Sequence, residues 1–231
     1  MCGRYYRRSD KQRIAEAFRL GLPTTFEILP SYNVAPQTFQ PVVRLNEETG
    51  ERELASMRWG LVPFWAKEPK IAYSTINAKA ETLATSPAFR EALKRRRCII
   101  PLDGFYEWQP VSAKVKQPFA VALKSGQLFG AAGLWDRWKD KSTGQSLDTY
   151  TLITTDPNPL MEPFHNRMPV IVKPADYERW MAPADPARLP IDLLRPYPEE
   201  EMAAWKVAAA VGNVRNNSPD LIEPMEEARL F

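Results

Sequence analysis

Prolines occur along the whole of this chain, 22 of them in 231 residues. Proline lacks a backbone N–H and clashes with the preceding turn of a helix, so this distribution interrupts regular helices. Strand-like runs outnumber the helical ones, and they do not alternate with long helices as a parallel doubly wound sheet requires. The sequence therefore predicts a single mixed α+β domain over residues 1–231, with antiparallel strands at its core and peripheral helices.

Local patterns predict the elements of this domain. An amphipathic helix is expected to be capped by Ser9 or Asp10, to bury a face that includes Ala17, and to end at Gly21. The other predicted elements are a turn-rich loop at 30–36, a hairpin of 42–45 with 54–58, an aromatic loop at 59–65, a strand leading into a polar segment at 71–81, a helix that starts at 86, strands at 98–102, 105–108, 119–123, 128–134, 150–155 and 170–172, and short helices at 175–181 and 191–194.

Composition is typical of an ordinary globular protein. Hydrophobic residues make up 44% of the chain and charged residues 26%, and no run approaches the roughly 18 apolar residues of a membrane span. Charged residues interrupt the first 13 positions, so no signal peptide is predicted and a cytoplasmic protein is expected. The net charge is only +3, and the basic run at 94–97 is interpreted as a helix end or a solvated face.

The cysteine and histidine content limits disulfide and metal chemistry. Two cysteines, Cys2 and Cys98, and a single histidine make neither a disulfide framework nor a zinc site. Both cysteines are expected as reduced thiols. The sequence therefore predicts no metal and no cofactor.

Cys2 becomes the N-terminal residue if Met1 is removed. An N-terminal cysteine carries a thiol and an α-amine two carbons apart, with ordinary pKa values of about 8.5 and about 8. This pair can attack an acyl carbon, or it can condense with an aldehyde to an imine and then close a thiazolidine ring. The alternative is that Cys2 is simply the second residue of the chain and has no chemical role.

Three further polar residues are candidates for chemistry, and each has a structural alternative. His165 is the only histidine, and its apolar neighbours are equally typical of a hydrogen-bonded structural residue. Glu107 lies between two aromatic residues, so in a strand it points to the opposite face, either into solvent or into a pocket. Asn77 is either a site residue or a turn former.

Seven short motifs recur here in the order that a known family has them, and together they resemble the SRAP (SOS response-associated peptidase) family. They are MCGR (1–4), YNVAP (32–36), WGLVP (59–63), NAKAE (77–81), GFYEW (104–108), HNRMP (165–169) and VGNV (211–214). The resemblance implies a barrel-like fold with a core of about 2–224. It also implies a protein of the DNA damage response that shields abasic sites in single-stranded DNA by reversible covalent crosslinking.

The resemblance gives four residues a role in that crosslink. After loss of Met1, Cys2 would trap the ring-opened aldehyde of an abasic site as a thiazolidine. Glu107 would shuttle protons or stabilise the charged amine, and His165 would assist opening of the deoxyribose ring. Asn77 would orient the terminal amine or the ring through its amide, which donates and accepts hydrogen bonds.

The resemblance also implies a groove for single-stranded DNA and no base reading. Its expected residues are Arg4, Lys79 and Arg167 for phosphates, Pro36, Trp65 and Trp108 for bases, and Thr154 for a hydroxyl contact to the backbone. At least half of the seven tryptophans are nevertheless expected in the core. The expected partner is single-stranded DNA that contains abasic sites. We expect a monomer with no membrane partner, cytoplasmic and associated with the nucleoid when bound to DNA.

Two positions depart from the family pattern. Lys79 stands where arginine is usual, so it would hold a phosphate without a bidentate fork. Ala66 stands where relatives often carry a second large aromatic, which would remove one stacking surface. Neither departure touches the crosslinking residues.

Two other functions stay open at this point. In the first, Cys2 is the nucleophile of a thiol peptidase that attacks a peptide carbonyl, for instance in autoprocessing. In the second, the chain is a noncatalytic module that binds single-stranded nucleic acid and Cys2 is incidental; its binding would be sensitive to salt and unaffected by Cys2→Ser.

Overall fold

The chain folds mainly into strands in the computed structural model, which describes residues 2–21, 26–185 and 187–225. The strands are β1 (Tyr5–Arg7), β2 (Ser31–Val34), β3 (Phe39–Leu45), β4 (Arg52–Trp59), β5 (Asn77–Lys79), β6 (Arg97–Leu102), β7 (Gly104–Pro110), β8 (Lys116–Leu123), β9 (Phe129–Lys139), β10 (Ser146–Thr155), β11 (Met168–Pro169), β12 (Ile171–Val172) and β13 (Met202–Lys206). The α-helices are α1 (Lys11–Phe18), α2 (Arg90–Arg95) and α3 (Tyr177–Met181), and 3-10 helices lie at Pro69–Tyr73, Ala80–Thr82, Pro174–Asp176, Ile191–Leu193, Glu199–Glu201, Ala209–Gly212 and Pro219–Ile222.

Five strands close into a barrel in the order β10-β4-β3-β6-β9, because β9 pairs again with β10. The short strands β5, β11 and β12 extend this sheet, while β13-β8-β7-β1-β2 form a second sheet. Most pairings are antiparallel, but β10 pairs in parallel with β4 and with β5. The prediction of a single α+β domain with an antiparallel β-rich, barrel-like core and peripheral helices is thus confirmed.

One core joins the barrel interior to the second sheet. Val42, Trp59 and Tyr150 of the barrel belong to the same buried cluster as Tyr5 and Phe105 of the second sheet. The hydroxyl groups of Tyr5 and Tyr150 lie 2.8 Å apart and link the two sheets by a buried hydrogen bond. This junction brings the N-terminal strand β1 against the barrel.

A second buried cluster lies between the barrel exterior and the helices. Phe18 of α1, Leu93 of α2 and Trp180 of α3 all belong to it. None of the helices in the described ranges is long and apolar enough to cross a membrane. Trp59, Trp135, Trp138 and Trp180 are buried, which confirms that at least half of the tryptophans are core residues.

The hairpin and most predicted strands are present, with shifted ends. Val43 pairs with Leu54 in the β3–β4 hairpin, as its apolar spacing predicts. The loop predicted at 30–36 was wrong in part, because β2 forms there and pairs with β1. The strand predicted at 71–81 is instead a 3-10 helix that begins at Pro69, followed by β5.

The helix predictions also need correction. Asp10 caps α1 by accepting a hydrogen bond from the Arg13 N–H. The helix ends at Phe18 and not at Gly21, because its C-cap residue Arg19 takes a left-handed conformation with φ 53°. Ala17 is exposed on this helix. The helix predicted to start at 86 begins at Arg90 after a turn, and the helix predicted at 191–194 is a 3-10 helix.

Candidate functional site

Cys2 lies just before β1, where the second sheet meets the barrel. Its side chain is fully buried, and its Sγ approaches the carbonyl oxygen of Arg4 at 3.9 Å. The side-chain Nδ2 of Asn77 donates a hydrogen bond to the Cys2 carbonyl at 2.9 Å. Asn77 opens β5, whose parallel pairing with β10 fixes that amide on the barrel. The structure therefore brings Cys2 and Asn77 into direct contact.

Glu107 enters the same region from β7. The residue is only 3% exposed, and its Oε1 has no hydrogen-bond partner within the described residues. Burial raises the pKa of Glu107 to about 7. A carboxyl group with this pKa is poised to accept or release a proton near neutral pH. The position of β7 against β1 depends on Gly104, because a Cβ there would collide with the Tyr6 ring.

Burial and the nearby charge of Glu107 act on the Cys2 thiol. Burial is the larger cause, and the Glu107 carboxylate is the second; both raise the pKa of Cys2 well above that of a free thiol. A thiol with a raised pKa is neutral at pH 7 and a weak nucleophile until a base removes its proton. Glu107 is the buried carboxyl group whose charge acts on this thiol.

His165 follows Phe164, whose ring packs against β8, the strand next to that of Glu107. Glu107 is paired with Phe119 across β7 and β8, and the Phe119 ring packs on the Phe164 ring with centroids 4.6 Å apart. His165 Nδ1 accepts a hydrogen bond from the backbone N–H of Arg167 at 3.0 Å. Burial lowers the pKa of His165 below its ordinary value, so its ring is neutral at pH 7.

The cations predicted to bind phosphates differ in how far they are already occupied. Arg4 is half-buried, donates to the Asn33 Oδ1 at 2.7 Å and to the Val211 carbonyl at 2.9 Å, and lies over the Trp108 ring at 5.9 Å. Lys79 is exposed, and its ammonium group makes no hydrogen bond or ion pair with the described part of the chain. Lys79 is therefore the predicted cation that is most available to a ligand.

Arg167 is only 8% exposed, and acidic groups hold its side chain. Its guanidinium donates to both carboxylate oxygens of Glu81, at 2.8 and 2.9 Å, and to Asp156 at 2.9 Å. It also donates to the carbonyl oxygen of Thr154 at 2.6 Å. Thr154 is itself buried and pairs with Lys79 across β10 and β5. The predicted phosphate contact of Arg167 stays a prediction, since two carboxylates already occupy this group.

The residues predicted to face bases differ in their exposure to solvent. Pro36 and Trp108 are half-buried, and Trp65 is 49% exposed. Phe64 is 55% exposed, whereas Ala66 is buried. An open cleft of about 500 Å³ is lined by Phe64, Trp65, Pro87, Arg90 and Glu91. Position 66 therefore faces the protein interior here, and Phe64 supplies the second exposed aromatic side chain.

Two further side chains lie next to predicted site residues and were not identified from the sequence. Asn33 is buried, and its Nδ2 donates to the carbonyl oxygens of Val211, Asn213 and Asn216. Its Oδ1 holds Arg4. The YNVAP motif contains Asn33 and was the sequence signal that could have identified it. Phe64 was not identified because only its neighbour Trp65 matched the family pattern.

No group of three or more His, Cys, Asp or Glu side chains among the described residues is arranged to hold a metal ion. The polar groups that act on Cys2 are instead the Asn77 amide and the Glu107 carboxyl group. This set is suited to proton transfer at a thiol or an amine.

Two named proteins are similar to this chain along most of its length. The chain is 45% identical to the abasic site processing protein YoqW of Bacillus subtilis, over 96% of this chain and 99% of that protein. It is 34% identical to the abasic site processing protein HMCES of Gallus gallus, over 85% of this chain and 67% of that protein.

Solved structures share the fold. A protein from Bacteroides thetaiotaomicron is 28% identical with a TM-score of 0.85, over 97% of this chain and 100% of that one. A protein from Bordetella bronchiseptica is 29% identical with a TM-score of 0.75, over 90% of this chain and 100% of that one.

The family model described as SOS response associated peptidase (SRAP) matches residues 1–214. The chain therefore belongs to the SRAP family.

Proposed function

We propose that this protein processes abasic sites in DNA by forming a covalent, reversible crosslink through Cys2 after removal of Met1. The relatives in Bacillus subtilis and Gallus gallus carry the name abasic site processing protein, which supports this class of substrate. The observation that carries the proposal is the contact of Asn77 with Cys2 beside a carboxyl oxygen of Glu107 that has no hydrogen-bond partner among the described residues. These groups surround the one residue that can offer both a thiol and an α-amine.

The chemistry begins at the amine. The Cys2 amine adds to the aldehyde carbon of the ring-opened abasic site, and loss of one water molecule gives an imine. The Cys2 sulfur then adds to the imine carbon and forms a C–S bond, while the thiol proton ends on the ring nitrogen. The balance is aldehyde plus aminothiol to thiazolidine plus water. The reverse reaction takes up the water again and releases the DNA.

Glu107 supplies the proton transfers. Its carboxyl group has a pKa of about 7, so the protonated and ionised forms coexist near neutral pH. The protonated form can donate to the departing hydroxyl group, and the carboxylate can then accept the thiol proton. Because burial keeps the Cys2 thiol neutral, this order makes the amine the first nucleophile and the sulfur the second.

The remaining predicted residues serve ring opening and DNA binding. His165 acts on the deoxyribose ring, and Asn77 orients the Cys2 amine through its amide. Lys79 and Arg4 contact phosphates, Thr154 contributes to the backbone-binding region, and Pro36, Trp65 and Trp108 face bases. Such a groove favours single-stranded DNA without base reading. The protein works as a monomer without a cofactor.

The test is an incubation of purified protein with a single-stranded oligonucleotide that contains one abasic site. We expect an adduct that survives denaturation, and Cys2→Ala should abolish it. Cys98→Ala is the matched control, because Cys98 is the other buried cysteine and lies in the barrel. An adduct that persists in Cys2→Ala would refute the proposal. Intact mass measurement tests the removal of Met1, since an acylated nitrogen cannot form the ring.

A thiol peptidase is the second candidate, favoured by the family description and by the Cys2 thiol beside Glu107. In that function Cys2 would attack a peptide carbonyl, and Glu107 would accept the thiol proton. Release of a fluorogenic peptide fragment, lost in Cys2→Ala and retained in Cys98→Ala, would support it. Salt-sensitive DNA binding with neither adduct nor peptide release would identify a noncatalytic nucleic-acid-binding module.

A further inference from the structure

The loop of residues 60–68 is bound at its backbone by side chains of two barrel strands. The Phe64 N–H donates to the Asp136 Oδ2 at 2.9 Å, and Asp136 lies on β9. The Val62 N–H donates to the Thr149 Oγ1 at 2.8 Å, and Thr149 lies on β10. A buried backbone N–H in a loop needs an acceptor, and the barrel supplies one for each of these two donors.

The two acceptors share one face of the β9–β10 pair. Asp136 and Thr149 are directly opposite each other in the antiparallel register, so their side chains point to the same face. Trp138 lies two residues after Asp136 and therefore on that face as well. Its Nε1 donates to the Ala66 carbonyl at 2.8 Å, and its ring shares a buried cluster with Val62 and Ala66. The 60–68 loop is thus fixed at three backbone atoms and by two buried side chains.

This arrangement leaves an exposed aromatic pair, Phe64 and Trp65, at the surface. Phe64 is 55% exposed and Trp65 49%, although Val62 and Ala66 on either side of them are buried. A ring whose backbone is already held in place loses less conformational entropy when a base stacks on it. Groups that fix the 60–68 loop therefore favour DNA binding without touching the DNA.

We propose that Asp136 and Thr149 are positioning residues that hold the 60–68 loop, so that its exposed aromatic pair stacks on bases of single-stranded DNA. The identity of the stacking partner rests on the proposed function, while the attachment of the loop to the barrel does not. Neither residue was a candidate from the sequence, because each acts through a backbone N–H more than 70 positions away.

The charge of Asp136 makes it a stronger acceptor than a neutral side chain. Asp136 is only 2% exposed, and an ionised carboxyl group at such a position needs compensating partners. Burial raises the pKa of Asp136, and among the groups that lower it the Phe64 N–H acts most strongly. The other oxygen, Oδ1, accepts from the Arg96 guanidinium and from the Arg137 N–H. A charge-assisted hydrogen bond therefore holds the loop at the residue that carries the first aromatic ring.

This contact also gives a task to one residue of the basic run at 94–97. Arg96 is half-buried, and its guanidinium lies over the Trp135 ring at 5.3 Å from the centroid. It balances the charge of Asp136 at the base of the 60–68 loop. Arg96 thus supports the aromatic pair from the protein side.

Hydrogen exchange of the Phe64 amide tests the attachment in the absence of DNA. In Asp136→Ala we expect this amide to exchange at least about tenfold faster than in the wild type, because its acceptor is lost. Asp148→Ala is the matched control, because Asp148 is a strand carboxylate that pairs with Arg44 and Arg137, and it should leave the rate unchanged. An unchanged Phe64 rate in folded Asp136→Ala would overturn the attachment.

Affinity for undamaged single-stranded DNA tests the positioning. We expect Asp136→Ala to raise the dissociation constant per folded molecule about two- to tenfold, the cost of ordering side chains on binding, and Asp148→Ala to leave it unchanged. In a Phe64→Ala, Trp65→Ala background, Asp136→Ala should raise it no further, because Asp136 acts through those two rings. An equal effect in both backgrounds, or none in either, would overturn the proposal.

A pair of conservative variants at Thr149 decides the matter if Asp136→Ala does not fold. Thr149→Val removes the acceptor of the Val62 N–H at nearly the same volume and should also weaken DNA binding about two- to tenfold. Thr149→Ser keeps the hydroxyl group and should bind as the wild type does. Wild-type affinity in Thr149→Val would count against the proposal.

Adduct formation separates this inference from the proposed function. Asp136→Ala should raise the concentration of abasic oligonucleotide that gives half the maximal rate, and the maximal rate itself should stay that of the wild type. A fall in the maximal rate alone would overturn the positioning role. Absence of any wild-type adduct would instead refute the crosslinking function, and the exchange rates and the affinities for undamaged DNA would still decide the role of Asp136.

Discussion

The Asn77 side-chain Nδ2 and the Cys2 backbone carbonyl oxygen lie 2.9 Å apart in a buried hydrogen bond. This bond fixes the second residue of the chain on β5, 75 positions away, and β5 pairs with the barrel strand β10. The other amide atom of Asn77, Oδ1, is buried without a hydrogen-bond partner within the described residues. An amide in this setting can hold the carbonyl and still accept a hydrogen bond from a Cys2 amine.

Replacement of Asn77 should therefore slow the chemical step. We expect Asn77→Ala to reduce the rate constant for adduct formation about five- to tenfold, the effect of losing one hydrogen bond. Asn77→Asp should be worse, because a carboxylate would face the Cys2 carbonyl. Rates are measured at saturating abasic oligonucleotide, with Asn46→Ala in the hairpin turn as control. An Asn77→Asp variant as fast as wild type would contradict the proposed role of this hydrogen bond.

Glu107 should make stability depend on pH. Burial raises its pKa from 4.5 to about 7, so the folded state binds its proton more tightly than the unfolded state. The stabilisation from this group is therefore present at low pH and is lost as the pH rises from about 4.5 to about 7. We expect Glu107→Gln to exceed the wild type at pH 8 by about 1 to 3 kcal/mol in the free energy of unfolding and to match it near pH 4.5.

Urea denaturation at several pH values measures this difference. Glu47→Gln serves as control, because Glu47 is exposed and the variant should follow the wild type at each pH. Equal stability differences between Glu107→Gln and wild type at pH 5 and pH 8 would show that the Glu107 pKa is not raised.

The sequence predicted those parts of the fold that depend on local patterns. The β3–β4 hairpin has alternating apolar residues on both sides of a short turn, and Val43 pairs with Leu54 as that spacing predicts. Closure of the barrel was implied only by the family resemblance, because local patterns do not reveal that β10 pairs with the distant strand β4. Local patterns also do not reveal β2, whose pairing with β1 overrides its turn-rich composition.

The same distinction between local patterns and long-range contacts applies to the candidate site. The motifs identified Cys2, Asn77, Glu107 and His165 by residue type, and the structure brings Asn77 onto Cys2. The partners of Arg167 could not be inferred, since Glu81 lies 86 positions away in the sequence. Whether a cation is available to DNA depends on such long-range partners, and residue type alone does not contain this information.

Asn33 should be important for stability. It donates to three carbonyl oxygens and accepts from Arg4, so Asn33→Ala would remove four hydrogen bonds at once. We expect a loss of about 2 kcal/mol or more in the free energy of unfolding, measured in urea. Asn33→Asp should lose at least as much, because it keeps the acceptor and brings a carboxylate to three carbonyls. The exposed amide Gln145→Ala is the control, and an equally small effect of Asn33→Ala would contradict this role.

A change of side-chain size should alter DNA affinity at Phe64 and stability at Ala66. Phe64 is 55% exposed beside Trp65, so Phe64→Ala should weaken binding of abasic single-stranded DNA by about 1 to 3 kcal/mol, the value of one stacked base, without loss of stability. Ala66 is buried and its carbonyl accepts from Trp138 Nε1, so Ala66→Phe should cost about 1 to 3 kcal/mol of stability and leave affinity per folded molecule no higher. Fluorescence anisotropy and thermal unfolding measure the two quantities. Tighter DNA binding by Ala66→Phe would show that position 66 is a stacking position after all.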